Sequence, residues 1–192
     1  MQPSVAHHGA EPSESSWLRT YYFTRAAVAA GWVVLAFTIG RNAPPIAGAL
    51  LIVYPAWDAL ANWLDASKSG GLARNKSQSL NLFVSALTAV AVAVALHWSM
   101  NAVLGVFGVW ATLAGVFQLA TAVQRWRHYG GQWAMALSGA QSALVGVVFL
   151  HQAASPAVPN ITAVAPYAAL GAFYFLVSAL WLSVAMYRRR AA

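Results

Sequence analysis

The sequence predicts an all-α fold: a polytopic membrane protein whose six transmembrane helices form three helical hairpins. Of its 192 residues, 60% are hydrophobic and 8% are charged, whereas about one-quarter of the residues of a soluble domain are charged. Six apolar stretches alternate with short polar junctions, and a membrane-spanning helix needs about 20 apolar residues. The apolar stretches lie at 22–40, 46–64, 78–97, 100–124, 133–153 and 163–187.

Basic residues alternate along the chain in a way that predicts topology. Ten of the eleven Lys and Arg residues lie at every second junction, and only Arg41 lies at the others. Because cytoplasmic loops are enriched in Lys and Arg, this pattern predicts six membrane spans with both termini in the cytoplasm. The ten residues are Arg19, Arg25, Lys68, Arg74, Lys76, Arg125, Arg127, Arg188, Arg189 and Arg190.

The composition also bounds the partners and the chemistry. The formal net charge is +7, and basic residues at helix ends suit anionic lipid headgroups. No basic patch alternates with aromatic residues on a polar segment, so we expect the lipid bilayer and not nucleic acid as partner; a homo-oligomer or a membrane-protein partner stays open. The chain has no Cys, which excludes thiolate metal sites. Because no motif for phosphate binding, nucleophilic catalysis or zinc catalysis occurs, we predict no enzyme activity, no cofactor and no metal.

The N-terminal segment differs from the rest of the chain. It is polar, contains Pro, Ser, Gly and two Glu residues, and has no apolar period. We predict a disordered cytoplasmic tail over residues 1–20 and a six-helix transmembrane domain over residues 21–192. A cleaved signal peptide is the alternative interpretation. Pro44 and Pro45 after the first apolar stretch, and the lack of an Ala-x-Ala site, favour an uncleaved first helix.

The second apolar stretch is the least regular, because it contains Pro55, Asp58, Asn62 and, at its end, Asp65. A re-entrant segment is one interpretation of this pattern. It would place the basic junction at 68–76 on the outer side and destroy the alternation of charge. We therefore predict a full membrane span for this stretch as well.

Sequence similarities predict an internal repeat of two-helix units. The second, fourth and sixth stretches align without gaps, and the third and fifth share Ser-Ala-Leu. The aligned segments are YPAWDALANWL (54–64) with FGVWATLAGVF (107–117), GVWATLAGVFQLATAVQR (108–125) with GAFYFLVSALWLSVAMYRR (171–189), and Ser-Ala-Leu at 85–87 with 142–144. Small residues at four-residue spacing predict close helix–helix seams. They are Gly108, Ala111, Thr112 and Gly115 in the fourth stretch, and Ser138, Ser142 and Gly146 in the fifth.

Asp58 is the residue whose position most needs a physical explanation. Seven residues separate it from Asp65, which places Asp58 about 10 Å deeper in the membrane, where an ionised carboxylate costs about 2.5–3.5 kcal/mol. Arg25, at the same end of the first helix, could pair with either acid and fasten the first hairpin, and we favour this structural interpretation. The alternative is a proton or ion site, for which the helix distortion expected at Pro55 would be typical.

The third helix carries a polar face that would lie opposite these acids. Gln78, Asn81, Ser85 and Thr88 recur at helical spacing. Hydrogen bonding between helices is the favoured role, and a substrate path is the alternative. The candidate intramembrane polar site therefore comprises Arg25, Asp58, Asn62, Asp65, Gln78 and Asn81.

Two histidines end the helices that run outward. His97 follows the third helix and His151 ends the fifth, so both are predicted near the extracytoplasmic face. Because the unperturbed His side chain has a pKa of about 6.5, both are candidate pH-sensitive residues. Separate interfacial histidines are the favoured interpretation, followed by pH sensing and then by a shared metal site.

The segments GVFGVWATLAGVFQLATAVQRWR and GGQWAMALSGAQSALVGVVFL, within residues 105–150, resemble the HdeD family of small bacterial acid-resistance membrane proteins. The resemblance extends over roughly residues 22–188. It implies six helices built from short two-helix repeats, and a non-enzymatic inner-membrane protein associated with acid or general stress, without catalytic residues. Asp58 and Asn62 depart from the more apolar character of the family. The alternatives are a small transporter or channel with Asp58 in its path, and a membrane scaffold for a partner complex.

Overall fold

The computed structural model describes residues 12–125 and 132–191, and these residues fold into six α-helices without a β-strand. The all-α fold predicted from the sequence is confirmed. The helices are α1 (Pro12–Thr38), α2 (Pro44–Lys68), α3 (Lys76–Ala95), α4 (Met100–Arg125), α5 (Gln132–Ala153) and α6 (Ala165–Ala191), with single 3-10 turns at Gly40–Asn42 and Ile161–Ala163.

Five of the helices, α1 to α4 and α6, are long and apolar enough to cross a membrane. The irregular second stretch forms one unbroken helix of 25 residues, with Pro55 in its interior. Helix α5 runs antiparallel along α4: Asn101 at the start of α4 donates a hydrogen bond to the carbonyl of Ser155 beyond the end of α5 (2.9 Å), and Gly115 packs on Gly139 near the other end. The two helices therefore lie side by side over most of their length.

Helix α1 begins earlier than the apolar pattern predicts. The helix starts at Pro12, so residues 12–20 of the predicted tail are helical, while residues 1–11 lie outside the described residues. Trp17 stacks on Tyr21 with ring centroids 6.1 Å apart, and the Lys68 ammonium at the end of α2 lies 5.6 Å from the centre of the Trp17 ring. The contact with Lys68 joins the additional turns of α1 to α2.

The helices form three close pairs, α2 with α3, α4 with α5, and α1 with α6. The first two pairs are hairpins in sequence, whereas the third joins the two ends of the chain. Helix α3 packs on α4 and links the two hairpins, and α1 makes few backbone contacts with α2. Side chains therefore carry most of the connection between α1 and α2.

The α4–α5 pair owes its close approach to glycine. A Cβ atom placed on Gly146 would lie 2.5 Å from the backbone nitrogen of Thr112 and 2.7 Å from the carbonyl oxygen of Gly108. One placed on Gly115 would lie 2.5 Å from the carbonyl oxygen of Gly139. The seam predicted from small residues in these two stretches is present. In α5, Gly139 packs on Gly115, next to the predicted Ser138.

An aromatic cluster fills the half of the bundle opposite the basic helix ends. Its ring contacts run from Trp32 through Tyr54 to Trp110, with centroids 4.9 and 5.9 Å apart, and on to Tyr167 at 6.0 Å. The Trp32 indole donates a hydrogen bond to the carbonyl oxygen of Leu50 (2.7 Å). This packed core leaves the polar residues of α2 in the half of the bundle toward its basic end.

Candidate functional site

Asp58, one turn after Pro55 on α2, forms an ion pair with Arg25 on α1. The Arg25 Nη2 group donates to Asp58 Oδ1, while Asp58 Oδ2 accepts from the hydroxyl of Ser85 (2.7 Å) and the amide of Asn62 (3.0 Å). The side chains of Arg25 and Asp58 are 12% and 20% exposed. Three donors from three helices therefore compensate a largely shielded carboxylate.

Ser85 extends this set of contacts, here named the Asp58 cluster (Arg25, Asp58, Asn62, Ser85), to a fourth helix. The Ser85 hydroxyl is buried and accepts a hydrogen bond from the Trp110 indole on α4 (3.2 Å). Asn62 also donates to the carbonyl oxygen of Asp58 (2.8 Å), which ties its amide to the helix turn below it. The cluster thus joins α1, α2, α3 and α4 through a single carboxylate.

The guanidinium of Arg25 makes contacts beyond the ion pair. Its Nη1 group donates to the hydroxyl of Tyr21 (3.0 Å), and its central carbon lies 4.2 Å from the ring centre of Phe175 on α6. A cation this close to an aromatic face is stabilised by the ring quadrupole, more so where water is excluded. Arg25 therefore connects the α1–α6 pair to the α2–α3 pair.

Of the remaining predicted polar residues, some form hydrogen bonds between helices and others do not. Gln78 donates to Asp65 Oδ2 (3.3 Å), whereas Asp65 Oδ1 is buried and accepts no hydrogen bond from the described residues. Asn81 is half-buried and has no side-chain hydrogen bond within residues 12–125 and 132–191. Thr88 bonds back to the carbonyl of Val84 in its own helix (2.8 Å). Arg25 thus pairs with Asp58 and not with Asp65, and the polar face of α3 meets α2 through Gln78 and Ser85.

The internal repeat explains why Ser85 occupies this position. Its repeat equivalent, Ser142 on α5, donates to the carbonyl oxygen of Ala111 (2.9 Å), and the gapless alignment of the second and fourth stretches places Ala111 opposite Asp58. Each serine therefore contacts the same repeat position of the neighbouring helix. Asp58 adds a carboxylate where the repeat has a methyl group.

Both predicted pH-sensitive histidines lie at the ends of their helices, and both are exposed. No group of three His, Asp or Glu side chains that could hold a metal ion occurs in the part of the chain that the structure describes. His97 follows the last turn of α3, and His151 lies in the last turn of α5. A pH-sensing role for either residue stays a prediction.

Sequence reasoning missed three partners of the cluster, namely Tyr21, Trp110 and Phe175. All three are aromatic residues in apolar surroundings, where the sequence pattern alone indicates packing or interfacial anchoring. One signal was available for Trp110: its alignment with Trp57 marks a repeat position beside Ala111, the equivalent of Asp58.

Comparison with known proteins identifies one family model. Residues 83–151, which cover most of α3 and reach through α4 into α5, match a short repeat of unknown function (DUF308). No curated protein and no solved structure matches the chain. The matched segment contains the glycine seam of the α4–α5 pair together with Ser85 and Trp110, whereas Arg25, Asp58 and Asn62 lie before it. This helical chain, with five helices long and apolar enough to cross a membrane, is therefore similar in its central part to the DUF308 short repeat.

Proposed function

We propose that this protein is a non-enzymatic integral membrane protein of the bacterial inner membrane that acts in resistance to acid or general stress. The repeat match at residues 83–151 overlaps the segments at 105–150 that resemble the HdeD family, and the proposed stress association rests on that resemblance. The five apolar helices support the membrane location.

The main support for a non-catalytic role is that the carboxylate of Asp58 is fully hydrogen-bonded. Both carboxylate oxygens accept hydrogen bonds, from Arg25 on one side and from Asn62 and Ser85 on the other. A buried charge that is paired and hydrogen-bonded in this way is typical of a structural connection between helices. On this proposal the Asp58 cluster fixes the relative position of four helices. Its residues take part in no chemical reaction.

Survival at low pH tests the proposed role. We expect a deletion strain to lose viability at acid pH and the wild-type gene to restore it. The Asp58→Asn gene should restore survival less well, in proportion to a lower amount of folded protein, because asparagine cannot neutralise Arg25. Colony counts after acid challenge, with membrane-fraction immunoblots, measure both quantities. Equal survival of the deletion and wild-type strains would contradict the stress association.

A small transporter or channel with Asp58 in its path is the second candidate. Two observations favour it: α2 contains Pro55 one turn from Asp58, and Asp65 has a buried oxygen without a hydrogen bond from the described residues. Asp58→Asn separates the candidates. Loss of acid survival with unchanged expression and melting, together with loss of ion-coupled uptake in proteoliposomes, would favour transport over a structural role.

The distribution of basic residues supports a topology with both termini in the cytoplasm. We expect a reporter fused after Met100, at the start of α4, to lie on the extracytoplasmic side, because the α3–α4 junction lacks Lys and Arg. A paired alkaline phosphatase and green fluorescent protein fusion measures this, and a fusion after Lys68 serves as the opposite control. A fluorescent fusion after Met100 would place this junction in the cytoplasm and contradict the predicted orientation of all the helices.

A further inference from the structure

A small cavity lies between α1 and α2 at the basic end of the bundle. It has a volume of about 80 Å³, more than the roughly 30 Å³ that one water molecule occupies in the liquid. Among the residues that the structure describes, its walls come from two helices and include no acidic side chain. The lining residues are Trp17, Thr20, Tyr21, Thr24 and Arg25 of α1, and Trp57, Ala61 and Leu64 of α2.

Two of the lining residues carry buried N–H groups without an acceptor. The Trp17 indole Nε1 and the Arg25 Nε lack a hydrogen-bond partner among the described residues, although both residues line the cavity. Buried polar groups in folded proteins are nearly always paired, and an unpaired one points to an absent water or ion. Both groups are donors, so the missing partner is an acceptor.

A cation lies close to the cavity, although it is not one of the lining residues, and the α2 side of the cavity is apolar. Lys68 lies over the ring of Trp17, with its ammonium 5.6 Å from the ring centre. On the α2 side, Trp57, Ala61 and Leu64 present aromatic and aliphatic groups. An occupant that matches both parts has an anionic head and an apolar chain. Basic pockets between transmembrane helices are known to suit anionic lipid headgroups.

We propose that the cavity between α1 and α2 binds an anionic phospholipid from the leaflet at the basic end of the bundle. The phosphate lies against the Trp17 indole and the Lys68 ammonium, and the first part of an acyl chain lies against Trp57 and Leu64. The unpaired Arg25 Nε provides a third donor at the inner end. The carboxylate of Asp58 is not among the residues that line the cavity, and both of its oxygens already accept hydrogen bonds from Arg25, Asn62 and Ser85.

Quenching of tryptophan fluorescence by brominated lipid tests this proposal. The full-length protein in neutral detergent is titrated with phosphatidylglycerol that carries dibrominated acyl chains, and with phosphatidylcholine that carries the same chains. We expect tighter saturable quenching by phosphatidylglycerol. Trp17→Phe should remove part of that quenching while it keeps the ring contacts with Tyr21 and Lys68. Trp98→Phe, at the opposite end of the bundle, is the matched control and should leave the phosphatidylglycerol-specific part unchanged.

A charge variant distinguishes the cavity from general attraction to the basic surface. Lys68→Gln should weaken phosphatidylglycerol binding about fivefold, the effect of one basic residue near an anionic headgroup. Arg74→Gln, on the exposed junction after the same helix, should weaken it much less. Equal losses in the two variants, equal quenching by the two lipids, or displacement of the lipid by millimolar inorganic phosphate would each overturn the proposal.

Discussion

Gly146→Ala is expected to separate α4 from α5 and to lower the free energy of unfolding by about 3 kcal/mol or more, at the upper end of the cost of overpacking. The new methyl carbon would lie 2.5 Å from the Thr112 nitrogen and 2.7 Å from the Gly108 oxygen, closer than real Cβ contacts. Both atoms belong to the backbone of α4, so no side-chain rotation relieves the clash. In a membrane, helices associate through such close packing and not through hydrophobic burial. The measurement is the thermal midpoint of unfolding in detergent.

Two glycines provide controls in which a methyl group has room. A Cβ atom on Gly31 of α1 would have no neighbour within 4 Å, and one on Gly105 of α4 would lie 3.7 Å from the Cβ of Ala153. Gly31→Ala and Gly105→Ala should therefore leave the midpoint unchanged or raise it slightly, since alanine is the better helix former. If the Gly146→Ala protein had the same thermal midpoint as the wild type, the close approach of α4 and α5 would not be needed for stability.

The α4–α5 seam was predictable from the sequence because it depends on residue size within two adjacent helices. Four-residue spacing of small residues marks one side of each helix, and the short connection between the helices makes them neighbours. The α1–α6 pair was not predictable in this way. Both helices carry buried small residues, such as Ala29 in α1 and Ala168 in α6, but the two helices lie at opposite ends of the sequence and are neighbours only because the bundle closes on itself.

The Arg25–Asp58 pair was predictable from the scarcity of charge. Arg25 is the one Lys or Arg residue inside the six apolar stretches of the sequence, so a carboxylate within the membrane had few cations to meet, and Arg25 lies in the preceding helix. The choice between Asp58 and Asp65 could not be made from spacing, because both lie on the same face of α2. The aromatic partner Phe175 depends on the position of α6 beside α1, which only the folded bundle defines.

Asp58→Ala is expected to lower the free energy of unfolding by about 3 kcal/mol, since removal of one partner leaves the other charge shielded and unpaired. Of its contacts within the described part of the chain, Arg25 would keep those with Tyr21 and Phe175, and the hydroxyl of Ser85 would lose its acceptor. Alanine itself fits a position of this kind, because the repeat has Ala111 there. The loss should therefore come from the uncompensated guanidinium and not from a steric change.

A double-variant cycle isolates the pair. Arg25→Met with Asp58→Leu removes both charges at similar volume and should recover most of the stability that each single change loses, because apolar groups replace a buried ion pair at little net cost. Asp65→Asn is the matched control: within residues 12–125 and 132–191 its carboxylate meets Gln78 and no cation, so we expect a loss below about 1 kcal/mol. Equilibrium unfolding in mixed micelles, followed by tryptophan fluorescence, gives the four free energies. Additive losses from the two single changes, without recovery in the double variant, would mean that Arg25 and Asp58 are adjacent without stabilising each other, and the cluster would then have no role in holding α1 to α2.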